Sequence, residues 1–183
     1  MVAAAIRGGA DVVQLRHKTL PRGELLQLAR RIQPLAVKNN RLFVVNDHVD
    51  IALLAEADGV HLGPDDLSVT SARRVAGDRL MIGASASSVE SAKQAVADGA
   101  GYLGSGPAFA TPIKAEKQVI GPEGIAEIAR SVPVPVFGIG GIDASNIAQL
   151  TAAGVRRACV IRAIGGAADP EAAARTLRAM LDA

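Results

Sequence analysis

Two glycine-rich stretches, GIGGI at 138–142 and IRAIGG at 161–166, decide how this sequence folds. Working outward from them, short β-branched runs alternate with longer helical patterns almost to the end of the chain. The runs predict strands over 12–16, 42–46, 59–62, 80–84, 102–106, 134–139 and 158–161. Strands that are apolar almost throughout and separated by helices imply a parallel sheet covered by helices. That sheet is either open and doubly wound or closed as an eight-stranded barrel. The glycine loops follow the last two strands, where such barrels hold a phosphate on backbone N–H groups and the start of a short extra helix. No G-x-G-x-x-G follows the first strand, as a dinucleotide-binding open sheet would show. The expected fold is an α/β (β/α)8 TIM barrel, a single domain over residues 1–183.

Seven strands are legible, one fewer than the barrel needs, and AAAIRGGA at 3–10 reads as the tail of a first helix with no strand before it. A barrel lacking its first strand exposes two unpaired parallel edges, so a start upstream of Met1, or a truncated chain, is expected. Thr19 and Pro21 open a helix with Leu25, Leu28, Ile32 and Leu35 on one face, and Pro34 should kink or end it. Ser87 and Glu90 read as a capping box before Ala92, Val96 and Ala97. A small-residue and glycine cluster recurs just before several strands: GGADVV at 8–13, EADGVHL at 56–62, ADGAGYL at 97–103 and AAGVRRACV at 152–160. That boundary is the internal repeat.

Composition removes several classes of function. Only four aromatic residues and no tryptophan leave nothing for base-stacking platforms, aromatic paratopes or porin girdles. Twenty basic against eighteen acidic side chains give a formal charge of +2, so no overall field steers the chain to a polyanion. Nucleic-acid and membrane partners are not expected. The single cysteine, Cys159, excludes a disulfide framework, fits a reducing compartment and reads as a buried small hydrophobe. Without an apolar span or a signal pattern, a cytoplasmic protein is expected; the oligomeric state, a homo-oligomer included, stays open.

In this fold reactive groups sit at the C-terminal ends of strands and in the loops beyond. Gln14, Arg16 and Lys18 alternate in QLRHK, so an extended segment can turn all three one way as an anion clamp. VVNDH places Asn46 and Asp47 at the end of the next strand, where Asp47 reads equally as a ligand or as a helix cap. HLGPDD adds Asp65 and Asp66 in the neighbouring loop. Carboxylates from adjacent loops beside cations suit one Mg²⁺ that also holds phosphate oxygens, a metal-diphosphate site. Ser85 in IGASASS is a ligand candidate and Ser87 a cap, with no histidine nearby in sequence to activate either. His17, His48 and His61 read as structural. The longest connection, 106–122, has the length of a functional lid and brings Thr111 and Lys114, with Lys117 on its solvated side.

QLRHK, VNDHVDIAL, GVHLGPDD, IGASAS, GSGPAFATPIK, GIGGI and VIRAI together resemble, in this order, the motifs of the thiamine phosphate synthase and thiazole tautomerase family. The likeness runs from about Asp11 to the C-terminus. The resemblance implies a barrel enzyme, a transferase of thiamine biosynthesis. It joins 4-amino-2-methyl-5-(diphosphooxymethyl)pyrimidine to a thiazole phosphate or its carboxy form, releasing diphosphate with Mg²⁺. It implies that Gln14, Arg16, Lys18, Asn46 and Lys114 bind the pyrimidine diphosphate, with Arg16, Lys18 and Lys114 supporting the departing charge. It implies Mg²⁺ on Asp47 and Asp66, and the pyrimidine on Ser85. Thr111, Gly141 and the backbone at Ile161 and Arg162 would receive the thiazole phosphate.

The implied mechanism is dissociative and needs no side-chain nucleophile. The sequence departs from the family pattern at Pro64 (usually glutamine), Ser87 (often histidine), Ile113 (a second threonine) and Arg162 (a serine). The diphosphate and metal half is therefore intact and the thiazole phosphate half altered, with Arg162 able either to replace the hydroxyl by a charge-assisted contact or to crowd the pocket. Two alternatives follow: a thiazole tautomerase, usually associated with the histidine replaced here by Ser87, and a catalytically silent paralogue binding phosphorylated ligands.

Overall fold

The computed structural model describes residues 1–111 and 118–183. Among these, seven strands lie parallel and in sequence order: β1 (Val12–Leu15), β2 (Leu42–Asn46), β3 (Gly59–Leu62), β4 (Met81–Ala86), β5 (Tyr102–Ser105), β6 (Val136–Ile139) and β7 (Ala158–Cys159). Between and around them run α1 (Val2–Arg7), α2 (Arg22–Lys38), α3 (Val49–Leu54), α4 (Val69–Ala76), α5 (Val89–Ala97), α6 (Gly121–Ser131), α7 (Ile147–Ala152), α8 (Arg162–Gly165) and α9 (Pro170–Asp182). Parallel neighbours joined one after another through helices form the curled sheet of a TIM-type barrel, as the alternation of patterns predicts. Among the described residues β1 and β7 are the two edges of this sheet.

The register sorts the strand side chains into two faces. Phe43, Val45, Val60, Leu62, Ile82, Leu103 and Val136 face the helices at 0–4% exposure and make, with Leu25, Ile32, Ile51, Ile125 and Leu150, the hydrophobic core. Their partners on the other face differ in kind. Pairing Gln14 with Val44, Val44 with Gly59, His61 with Gly83, Ser85 with Gly104 and Ile139 with Cys159 lines the barrel interior with polar residues, glycine and a few apolar groups. The core thus lies between sheet and helices, and the interior of the sheet is left for chemistry.

Local expectations fail in instructive ways. α2 runs through Pro34 to Lys38 instead of ending there. Pro34 is exposed, so the carbonyl that its missing N–H leaves unpaired lies on the solvent side, while Ala29, Ile32 and Ala36 hold the other face to the sheet. Of the expected stripe Leu25 and Ile32 are buried and Leu28 is partly buried, but Leu35 is 38% exposed, and Ala29 and Ala36 complete the buried face. Thr19 does not cap the helix, whose N-cap position is Pro21. The capping box of α5 is Ser88 with Ser91, one residue beyond the expected Ser87 and Glu90. β4 extends to Ala86, which puts Ser85 inside a strand.

The internal repeat is a shared helix ending. After α1, α2, α3, α5 and α7 the residues Gly9, Asn40, Glu56, Gly99 and Gly154 take positive φ, between +51° and +103°. The next residue in each case returns its N–H to the carbonyl five back: Ala10 to Ala5, Arg41 to Ala36, Ala57 to Ala52, Ala100 to Ala95 and Val155 to Leu150, all at 2.9–3.0 Å. These Schellman turns satisfy the orphan carbonyls and aim the chain into the next strand. Glu56 has a Cβ at this left-handed position, whereas a Cβ at Gly99 would meet nothing within 4 Å. Glu56→Gly should therefore raise the unfolding free energy by roughly 0.5–1 kcal/mol, and Gly99→Ala should lower it by about 1–2 kcal/mol. Urea titration measures both, and shifts of the same sign would exclude turn geometry as their cause.

Candidate active site

The loops after β2 and β3 each bring an aspartate to one place, Asp47 and Asp66. Asp47 follows β2 at φ +67°, with its N–H bonded to the carbonyl of His61 at 2.8 Å, so the β2–β3 ladder itself holds this left-handed residue. Its carboxylate accepts a hydrogen bond from Lys18 Nζ at 2.6 Å across the loop after β1. The position before α3 is His48, which makes no side-chain cap, so Asp47 is not the cap of this helix. Asp66 Oδ2 accepts the N–H of Gly63 at 2.7 Å in the loop after β3. The Asp47 and Asp66 carboxyl groups are close enough for each to shift the ionisation of the other. Burial works against the ionisation of Asp47, but Lys18, together with the neighbouring Asp66, outweighs it and brings the carboxyl below its ordinary value. Burial first, and then the adjoining Asp47 carboxylate, raise Asp66 above its own.

Two carboxylates thus share one lysine. Such a pair could hold a hard divalent cation, which would relieve their mutual repulsion. Among the described residues no group of three or more His, Cys, Asp or Glu side chains gathers, so such a cation would complete its shell with phosphate oxygens and water.

Around this centre the expected site residues fall into three groups. Gln14 and Asn46 share the inner face of the sheet, Asn46 lying two residues beyond Val44, the partner of Gln14. Arg16 and Lys18 lie past the end of β1, so Gln14, Arg16 and Lys18 belong to a strand and the loop after it rather than to one strand. Ser85 also faces the interior, and His61 Nε2 stands 3.1 Å from its Oγ. No histidine is close to Ser85 in sequence, but β3 and β4 are adjacent, and the 24 residues that separate His61 from Ser85 vanish in the ladder.

The third group surrounds GIGGI. The loop after β5 docks on the end of β6, with Ala108 N–H on Ile139 O at 2.8 Å and Phe109 N–H on Gly140 O at 3.0 Å. Gly141, at φ +68°, packs so closely that a Cβ there would lie 2.6 Å from Phe109 O. The segment leading to Thr111 and the glycine loop are thereby one unit. Asn146 holds it from beneath, donating Nδ2 to Gly141 O at 2.8 Å and accepting Asp143 N–H at 3.0 Å. Sequence reasoning passed over Asn146; an amide-bearing residue at the start of α7, just after a glycine loop, was its available signal. Ile161 precedes α8 and Arg162 begins it, near enough to Asp143 to help hold that carboxyl below its ordinary value, after the larger effect of its bonds from Ser145. Lys114, with Ile113 and Lys117, lies outside the described residues.

The family model for thiamine monophosphate synthase matches residues 1–164. The chain belongs to the thiamine monophosphate synthase family. It is 48% identical to the thiamine-phosphate synthase of Anaeromyxobacter dehalogenans over 183 residues, 98% of this chain and 81% of that protein. The corresponding protein of Moorella thermoacetica is 46% identical over 179 residues, 97% of this chain and 85% of its own. Among solved structures, thiamine phosphate pyrophosphorylase from Pyrococcus furiosus superposes with a TM-score of 0.93 at 39% identity, covering 99% of this chain and 87% of that one. A 3-hexulose-6-phosphate synthase at 22% identity, with a TM-score of 0.76, shares the fold.

The coupling between the two carboxylates in this family member is directly measurable. Asp47→Asn removes one negative charge and leaves an amide that can donate to Asp66. Asp66 should then titrate nearer the ordinary carboxylate value, as read by carbon-13 NMR of its carboxyl. An unmoved Asp66 would mean that burial alone raises it.

Proposed function

We propose that the chain is a thiamine phosphate synthase. It condenses the pyrimidine diphosphate with 4-methyl-5-(2-phosphooxyethyl)thiazole, or its carboxy form, to thiamine phosphate and diphosphate. The observation that carries this reading is the Lys18–Asp47–Asp66 cluster beside inward-facing Gln14, Asn46 and Ser85, in a chain nearly half identical to named synthases. Those relatives are synthases, and no observation favours the tautomerase or the silent binding protein. The lone cysteine and the small-molecule substrates agree with a cytoplasmic enzyme. Among the described residues no helix is long and apolar enough to cross a membrane.

Asp47 and Asp66 would hold Mg²⁺, which when bound supplies positive charge to the diphosphate oxygens. The remaining work belongs to this chain. Arg16, Lys18 and Lys114 neutralise charge that grows on the diphosphate as its bond to the methylene carbon lengthens. Lys18 is already oriented by Asp47, so little reorganisation accompanies that change. Gln14, Asn46 and Ser85 hold the aminopyrimidine so that its methylene faces the thiazole nitrogen. The thiazole phosphate rests on Thr111, on the backbone of Gly141, Ile161 and Arg162, and on the Arg162 guanidinium, which stands where the family carries serine.

Diphosphate release should require both substrates and Mg²⁺, and Asp66→Ala should lower it at least 100-fold while the far-ultraviolet circular dichroism is unchanged. Release with one substrate alone, or an active Asp66→Ala, would remove this assignment. Arg162→Ala deletes one charge-assisted contact worth about 1.5–3 kcal/mol. The KM for the thiazole phosphate should rise about 10- to 100-fold and that for the pyrimidine diphosphate stay within twofold. Steady-state kinetics with each substrate varied in turn separates the two.

A further inference from the structure

Three inward-facing side chains on consecutive strands make a line of hydrogen bonds inside the barrel. His61 on β3 brings Nε2 within 3.1 Å of Ser85 Oγ on β4 and Nδ1 within 3.3 Å of the Tyr102 hydroxyl on β5. His61 is 9% exposed, and its ring lies 5.5 Å from that of Tyr102, tilted by 35°. Glycine makes the room. A Cβ at Gly83 would lie 2.0 Å from Tyr102 Cζ, and one at Gly104 would lie 3.1 Å from His61 Cε1. Phe137 closes on Tyr102 edge-on at 5.8 Å. Both rings therefore sit in slots cut for them by the neighbouring strands.

The direction of the line follows from the inventory of protons. Burial, with a smaller effect from Cys159, raises the Tyr102 phenol well above its ordinary range, so it keeps a proton to donate. A buried hydroxyl that donates to nothing is costly, and Nδ1 of His61 is the acceptor placed beside it. With Nδ1 accepting, the one ring proton of a neutral imidazole is on Nε2, which donates to Ser85 Oγ. Ser85 then receives from below, and its own hydrogen must point elsewhere. Ser85 lies two residues beyond Gly83, the register partner of His61, toward the C-terminal rim.

We propose that His61, steered by Tyr102, is a positioning residue for the synthase reaction: it occupies Ser85 Oγ as an acceptor and so turns the Ser85 hydroxyl hydrogen toward an acceptor nitrogen of the pyrimidine ring. The proposal rests on the placement of Ser85 against the pyrimidine given above. His61 itself touches no reacting atom. Its effect is to remove the rotational choice that a serine hydroxyl otherwise has.

Two measurements test this. Nitrogen-15 spectra of the imidazoles in the wild-type chain at neutral pH should show His61 with its proton on Nε2, and Tyr102→Phe should weaken that preference. A proton on Nδ1 would overturn the direction of the line whether or not the protein turns over. In kinetics, His61→Phe keeps a ring but cannot donate, and should raise the KM for the pyrimidine diphosphate about 3- to 10-fold, the effect of one neutral hydrogen bond. Calorimetric binding of inorganic diphosphate with Mg²⁺ should change less than twofold. His61→Gln, whose amide can still donate to Ser85, should recover most of the loss, and in a Ser85→Ala background His61→Phe should add nothing. Additive penalties, or loss of diphosphate binding, would overturn the positioning role and leave the synthase assignment standing. A wild-type chain that forms no thiamine phosphate from the two substrates would overturn the synthase assignment and the positioning role together.

Discussion

Parallel pairing in sequence order is the constraint on which the rest of the molecule depends. When β1 to β7 all run the same way, every strand ends on one rim, and residues far apart in sequence arrive there as neighbours. Lys18, Asp47 and Asp66 meet for this reason, each lying just past the end of a consecutive strand. The ladder also sets their conformation: the bond from Asp47 N–H to His61 O extends the β2–β3 pairing by one residue and holds Asp47 at a φ that a side chain rarely adopts. Two carboxyl groups brought together by this geometry act on each other's ionisation, Asp47 lying below and Asp66 above the ordinary carboxylate value.

The same register divides labour between the faces of the sheet. Helix-facing positions carry β-branched and large apolar groups because that layer must exclude water, and its burial is what stabilises the structure. The inner positions are relieved of this task and carry His61, Ser85, Asn46 and several glycines. The scarcity of aromatic residues gains meaning from where they lie. Tyr102 and Phe137 stand together inside the barrel, and Gly83 leaves the volume that the tyrosine ring fills. Low aromatic content is thus not a general dilution, since half of these residues support the polar interior.

Strand positions were legible in the sequence because a fully buried parallel strand is a continuous apolar run, and the signal is strong even over four residues. The face of α2 was misread by a small rotation: leucine attracts attention in a periodic pattern, whereas Ala29 and Ala36 are what fit closely against the sheet. The capping box slipped by one residue because Ser87, Ser88 and Ser91 all offer hydroxyls, and only the backbone direction leaving β4 selects among them. Asp47, Asp66, Lys18 and Ser85 were legible as polar residues at strand ends. The contact between His61 and Ser85 was not, because proximity across a ladder depends on register, and register is a property of all seven strands at once. Asn146 escaped for a related reason, since it acts on the carbonyl of Gly141 and an unpaired carbonyl leaves no mark in a sequence.

On the proposed reading, the two halves of the site are made from different materials, and this bears on the departure at Arg162. The diphosphate half would consist of side chains, and a change at Arg16, Lys18, Asp47 or Asp66 would remove a charge from it. The thiazole phosphate half is largely backbone: Gly140 and Gly141 packed against Pro107, Phe109 and Ala110, with Asn146 bracing the turn. Backbone N–H groups hold an anion whatever side chains surround them. Arg162, exposed at the start of α8, could on this reading replace a serine there and meet the phosphate from the solvent side. Arg162 is a departure of this kind, whereas Pro64, two residues before Asp66, and Ser87, two residues after Ser85, are departures outside that half.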